Sequence, residues 1–300
     1  MGWWAKITAW FSPKTPPTEP VPLEVPEEEV AQLEQEQEWE EEETAPLLTE
    51  EEQQLVQIKE LLASSDLSNH ELAAMFLLGL EHGWDEEMYQ LIVQEADKLI
   101  FWVSREDNAL SVEPIRELHI GPRFFSQYSE IAEFAAVLPQ LVHLEKLYWE
   151  AKHYWNQHPI LVAASQLPQL KVLHFCDCKM NYLPDAVVEA PQLQELYLSG
   201  NKLTELPDKL EQLRELCVLD LSANQFKNCP RPVSGLRKLE VLRLQENPMK
   251  DIEPRLLGRL YRLRDLQLPE LVARFNLDAL KDWLPDVDFE QPYWKFDELE

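Results

Sequence analysis

The sequence is poor in glycine, poor in cysteine and short of basic residues for its acidity, and it has no long apolar run. Its 7 glycines are scattered, and none forms the glycine-rich loop that cradles a phosphate. The 4 cysteines, Cys176, Cys178, Cys217 and Cys229, are too few for a disulfide framework in so long a chain and read as reduced thiols. No stretch approaches the roughly 18 to 20 apolar residues needed to span a bilayer. The opening MGWWAKITAWFSP has one Lys, a short aromatic stretch and no small-residue cleavage site, so it is a poor secretory signal. Together these features lead us to expect a cytoplasmic protein. Its 27 Lys and Arg stand against 55 Asp and Glu, a formal net charge of -28. Nucleic acid is therefore not expected as a partner, because phosphate binding needs clustered cations, and anionic membrane surfaces are disfavoured for the same reason.

The charge is unevenly spread. Ile115 to Leu268 holds 19 acidic and 19 basic residues, and the remainder holds 36 acids and 8 bases, so the acidity belongs to the flanks. Pro13, Pro16, Pro17, Pro20, Pro22 and Pro26 exclude a helix and mark an extended linker. The run from Glu27 to Glu43 offers only Val30, Leu33 and Trp39 to a core and is expected to be disordered or a frayed solvated helix. Residues 1–46 thus read as an aromatic start followed by a Pro-rich and acidic arm. Residues 47–110 read as a helical cap of three helices. Thr49 with Glu52 and Ser68 with Glu71 form capping boxes. Leu55, Ile58, Leu61 and Leu62 make an apolar stripe. The second helix should end at His82-Gly83, and Asp85 should cap a third that carries Met88, Leu91, Ile92, Leu99 and Trp102.

A repeat occupies residues 111–275. LQELYLSGNKL (193–203), LCVLDLSANQF (216–226) and LEVLRLQENPM (239–249) follow one pattern, and LKVLHFCDCKM, LEKLYWEAKHY, IRELHIGPRFF and LRDLQLPEL follow it more loosely. The copies start at 115, 144, 170, 193, 216, 239 and 263, about seven turns with a settled spacing of 23. The fourth and sixth positions of each copy point one way from a short strand and the residues between them point the other. No single turn can bury its own leucines, so the turns must stack. Asn201, Asn224 and Asn247, with Cys178 in an earlier copy, sit where the chain leaves the strand and can bond the backbone of neighbouring turns. The segments 125–138 and 158–167 have helical spacing and should form convex helices. The pattern resembles the leucine-rich repeat. The resemblance implies an α/β solenoid, a horseshoe with a parallel concave sheet, protein recognition on that sheet and no conserved chemistry. QIKELLASSDLSNHELAAMFLLGL and LDALKDWLPDVDF resemble the helical segment and the closing helix and strand of a group of bacterial repeat proteins; residues 276–300 then form a C-terminal cap and acidic tail.

The outward column of the strands reads His119, Tyr148, His174, Tyr197, Asp220, Arg243 and Gln267. Its neighbour reads Gly121, Glu150, Cys176, Ser199, Ser222 and Gln245. Together they are the candidate binding face for a protein partner, since Tyr and Arg are favoured at hot spots. His174, Cys176 and Cys178 do not make a metal site, because Cys178 should turn inward and leave two ligands where structural zinc wants about four. No cofactor, nucleophile-base pair or catalytic domain is evident, so an enzyme is not expected. Both ends of the solenoid read as capped, which implies a monomer. Trp3, Ile7, Trp10 and Phe11 share a helical face, with Trp4 at its edge. They suit a membrane interface, a protein groove or a loose tail; the first would make the chain a membrane-tethered adaptor, and the Gly2 start lacks the hydroxyl residue of a myristoylation motif.

Overall fold

The computed structural model describes residues 48–78, 84–105, 115–121, 124–125, 129–149 and 158–288. The aromatic start, the proline linker, the acidic run, Glu150 and the acidic tail lie outside the described residues. The chain divides into units of residues 1–50 and 51–300, and the fold belongs to the second.

Among the described residues the cap contains four helices where three were expected: α1 (Glu50–Ala63), α2 (Leu67–Leu77), α3 (Glu86–Ile92) and α4 (Ala96–Val103). The expected third helix breaks at Glu95, which is extended. The next amide, Ala96 N, donates to Phe124 O of the solenoid at 2.7 Å. A long-range acceptor thus replaces the helical one and starts a new helix. Asp85 caps α3 as expected, accepting from Met88 N at 2.9 Å. The cap of α2 is Asp66, which accepts from Ser68 N, and not Ser68 itself. The expected end of this helix at His82-Gly83 lies outside the described residues. Ile58, Leu62, Ala73, Ala74, Leu77, Met88, Ile92 and Trp102 form the cap core, whereas Tyr89, Leu99 and Val103 join the core of the solenoid.

Seven parallel strands follow in sequence order: β1 (Glu117–Ile120), β2 (Lys146–Trp149), β3 (Val172–Phe175), β4 (Glu195–Tyr197), β5 (Val218–Asp220), β6 (Val241–Arg243) and β7 (Asp265–Gln267). The register aligns Leu118, Leu147, Leu173, Leu196, Leu219, Leu242 and Leu266, and all seven are buried. A parallel pair needs a return crossover. In the early turns the inward residues include Trp149 and Phe175, stacked at 5.5 Å, and the returns are the helices α5 (Ser129–Val137) and α6 (His158–Ser165). From β3 on the returns are 3-10 turns, at Asp185–Glu189, Asp208–Gln212 and Arg231–Gly235, and Leu198, Leu221 and Leu244 fill the inward position after Phe175. α5 is shorter than its segment suggests, because Leu138–Gln140 is already a 3-10 turn with Pro139 in it. A short helix α7 (Pro254–Leu257) returns to β7, and α8 (Glu270–Trp283) closes the solenoid, burying Val272, Ala273 and Leu280. This helix begins before the boundary read at 276. No described helix is long and apolar enough to cross a membrane.

Candidate concave binding face

The strands place His119, Tyr148, His174, Tyr197, Asp220, Arg243 and Gln267 in one column by register. Its first four members are rings in a ladder. His119 and Tyr148 stack at 4.3 Å and 8°. Tyr148 and His174 follow at 5.7 Å, and His174 and Tyr197 at 5.5 Å, both tilted. The strand spacing of ~4.8 Å makes this contact automatic once each strand supplies a ring. Arg243 then lies between Asp220 and Asp265, at 3.7 Å from each carboxylate.

Two strand positions earlier runs a second outward column of Glu117, Lys146, Glu195 and Asp265, broken by valines. The sequence reading passed over it, although the two-residue period points to it. It braces the first column. Glu117 contacts His119 Nε2 at 2.8 Å and Lys146 at 3.1 Å. Glu195 accepts from Tyr197 Oη at 2.8 Å, and Gln267 Nε2 donates to Asp265 at 3.3 Å. Burial, and then the bond to Glu195, push the Tyr197 phenol up to about 12, so it stays a neutral donor. Hydrogen bonds from His119 and Lys146 hold the Glu117 carboxyl below its ordinary range.

The third column turns inward on itself. Ser199 Oγ donates to Cys176 Sγ at 3.0 Å, and that sulfur lies 3.4 Å from His174 Nε2. Burial raises the Cys176 thiol, which keeps it protonated and a poor nucleophile. Ser222 directs both its backbone amide and its hydroxyl to Asp220, at 2.9 and 2.6 Å. Asp220 and Ser222 are only 9% and 8% exposed, so they shape the face more than they present it. The Nδ1 of His174 and the Oε1 of Gln245 are buried and have no hydrogen-bond partner among the described residues. Cys178 is buried, bonds Cys176 O and is raised to about 12, chiefly by burial. The described residues contain no cluster of metal-ligating side chains.

Behind the face, the asparagines bond as the repeat demands. Asn224 Oδ1 accepts from Leu203 N at 3.0 Å. Its Nδ2 donates to Leu198 O, Leu221 O and Ser222 O at 2.9, 3.1 and 3.1 Å. Asn201 and Asn247 make the same set one turn earlier and one turn later.

Seven stacked turns, one parallel sheet and an asparagine ladder define a leucine-rich-repeat solenoid, and the profile of the leucine-rich repeat region family matches residues 153–282. Residues 153–282 thus carry a leucine-rich repeat region. Among solved structures the chain is similar to the leucine-rich-repeat protein LIC12759 of Leptospira interrogans, with 25% identity, TM-score 0.46, and coverage of 59% of this chain and 49% of that one. It is also similar to TLR13 in a complex with ssRNA13, with 20% identity, TM-score 0.42 and coverage of 58% and 28%. A third is the plant peptide hormone receptor RGFR1 in complex with RGF2, with 18% identity, TM-score 0.37 and coverage of 52% and 26%. The match thus spans about half, or less, of the length of each of these relatives. No curated protein matches the chain.

Proposed function

We propose that the chain is a non-enzymatic interaction module that takes a protein partner on the concave face of its repeats. The observation that carries this reading is the ring ladder of His119, Tyr148, His174 and Tyr197. Aromatic residues fixed on a sheet lose little conformational entropy on binding, because their neighbours already hold them. Arg243, held between two carboxylates, adds a directional charged group at the other end of the same column. The family match supports the coarser statement that this is a binding scaffold. The cysteines fit a reducing setting. All four are unpaired, and burial pushes Cys178 and Cys229 up to about 12, which keeps them as thiols.

The test is a paired capture with mass spectrometry. The intact protein is compared with a variant carrying Tyr148→Ala, His174→Ala, Tyr197→Ala and Arg243→Ala, whose fold is checked by circular dichroism. A partner held by the intact protein should be lost from the variant. A partner retained at full strength by the folded variant places binding elsewhere and removes the concave face as the site.

A further inference from the structure

Outside the concave face, a groove of about 940 Å³ runs along the flank of the last three turns. The register that aligns Val218, Val241 and Asp265 also aligns the residues four positions before each of them: Arg214, Arg237 and Tyr261. Arg259 lines the same groove. In the earlier turns the equivalent places hold Val142, Pro168 and Pro191. Among the described residues, this register position thus carries arginine only in the turns of β5 and β6, and Glu211 and Glu215 line the same groove beside them.

Arg214, Arg237 and Arg259 are exposed, and none of the three makes an ion pair among the described residues. The other cation of the groove, Lys238, is already paired with Glu215 at 2.6 Å. The floor is glycine where the turns come close. A Cβ on Gly235 would run into the side chain of Glu211, and one on Gly258 would lie 2.5 Å from Trp283 Cε3. Tyr261, 63% exposed, stands at the end of the row.

We propose that this groove binds a short acidic peptide segment of a partner protein. Its carboxylates would meet the forks of Arg214, Arg237 and Arg259, and an apolar side chain would lie on Tyr261. Guanidinium and carboxylate pair in a bidentate geometry that fixes orientation as well as charge. A peptide suits the groove better than a polyphosphate chain does. Extended peptide carries side chains ~3.3 Å apart on alternating sides, so it can address separate arginines and avoid the carboxylates of Glu211 and Glu215.

The test uses the full chain and fluorescence anisotropy, with a short fluorescein-labelled peptide that alternates Glu and Gly around one Phe. At low salt the peptide should bind saturably. Arg214→Glu, Arg237→Glu and Arg259→Glu combined should weaken it by at least ~10-fold, since each removes a charge-assisted bond, with an unchanged melting curve. Tyr261→Ala should weaken it a few-fold. Lys202→Glu, Lys227→Glu and Lys250→Glu reverse as many charges on exposed residues outside the groove and should leave binding intact. The concave variant should also still bind the peptide, which separates this site from the proposed function. Three results would each overturn the assignment: no binding at low salt, equal loss in the lysine control, or tighter binding of a uridine oligonucleotide of equal charge that is lost in the arginine variant.

Discussion

At the residue scale, one position recurs with an unusual backbone. The residue just before each ladder position has a positive φ: Asp177 at 56°, Gly200 at 68°, Ala223 at 51° and Glu246 at 57°. The left-handed conformation turns the chain off the strand so that the following Cys178, Asn201, Asn224 or Asn247 points inward. Only one of the four is glycine, the residue that adopts this region without steric cost. Glu246 is exposed, so replacing it removes no packing. Glu246→Gly should stabilise the protein by ~0.5–1 kcal/mol, the difference between left-handed strain and the entropy of glycine, seen as a higher urea midpoint. An unchanged or lower midpoint would show that the turn bears no strain there. The reverse change is predicted to be costly, because a Cβ on Gly200 would collide with the side chain of Asp177.

At the scale of elements, the cap holds a buried titratable group. His70 is fully buried. Trp102 Nε1 donates to its Nδ1 at 2.9 Å, and its Nε2 lies 2.9 Å from Ser64 O. With Nδ1 accepting, Nε2 must carry the proton, and the ring is neutral. Burial, against the bond to Ser64 O, pulls the imidazole below its ordinary 6.5, and the nearby charge of Lys98 adds to this. The unfolded chain therefore takes up a proton at a pH where the folded one does not. The stability that His70 contributes is complete above about pH 6.5 and drains away as the pH falls below it. The helical signal of the wild type should thus melt earlier at pH 5.5 than at pH 7.5, and His70→Gln, which keeps a donor and an acceptor, should reduce that dependence, leaving the part that belongs to His158, whose imidazole is also lowered by burial. The same slope in the variant would exonerate His70. Carboxylates held low by their partners, such as Asp85 and Glu117, lose their contribution only in stronger acid, so they do not blur the window. This arrangement, like the break before Ala96, was not legible in the sequence. Both depend on partners far along the chain, Trp102 and Phe124, which no local pattern reveals.

At the scale of the whole molecule, what was legible follows from repetition. A spacing of 23 residues fixes one turn on the next, so strand order, register, core leucines and the ring column could all be read from the sequence. Two features escaped that reading. The bracing column of Glu117, Lys146, Glu195 and Asp265 has no consensus residue to mark it, although three of its bonds run along a single strand, to His119, Tyr197 and Gln267. The arginine groove is hidden by the balance of charge over Ile115 to Leu268, where equal totals conceal the two aligned arginines. Repetition also dictates how the molecule comes apart, because each turn touches only its neighbours. The ladder asparagines are where that coupling is polar. The carboxamide of Asn224 ties together Leu198 O and Leu203 N of one turn and Leu221 O and Ser222 O of the next. Asn224→Ala leaves these buried groups without their partner, which costs roughly 1–3 kcal/mol. Because the lost bonds lie between turns in mid-solenoid, the urea transition should broaden as well as shift, with the flanks of the break unfolding less in concert. Hydrogen exchange should speed up at Leu203 and spare the helical cap. A midpoint unchanged from the wild type would mean that the ladder decorates the turns without joining them.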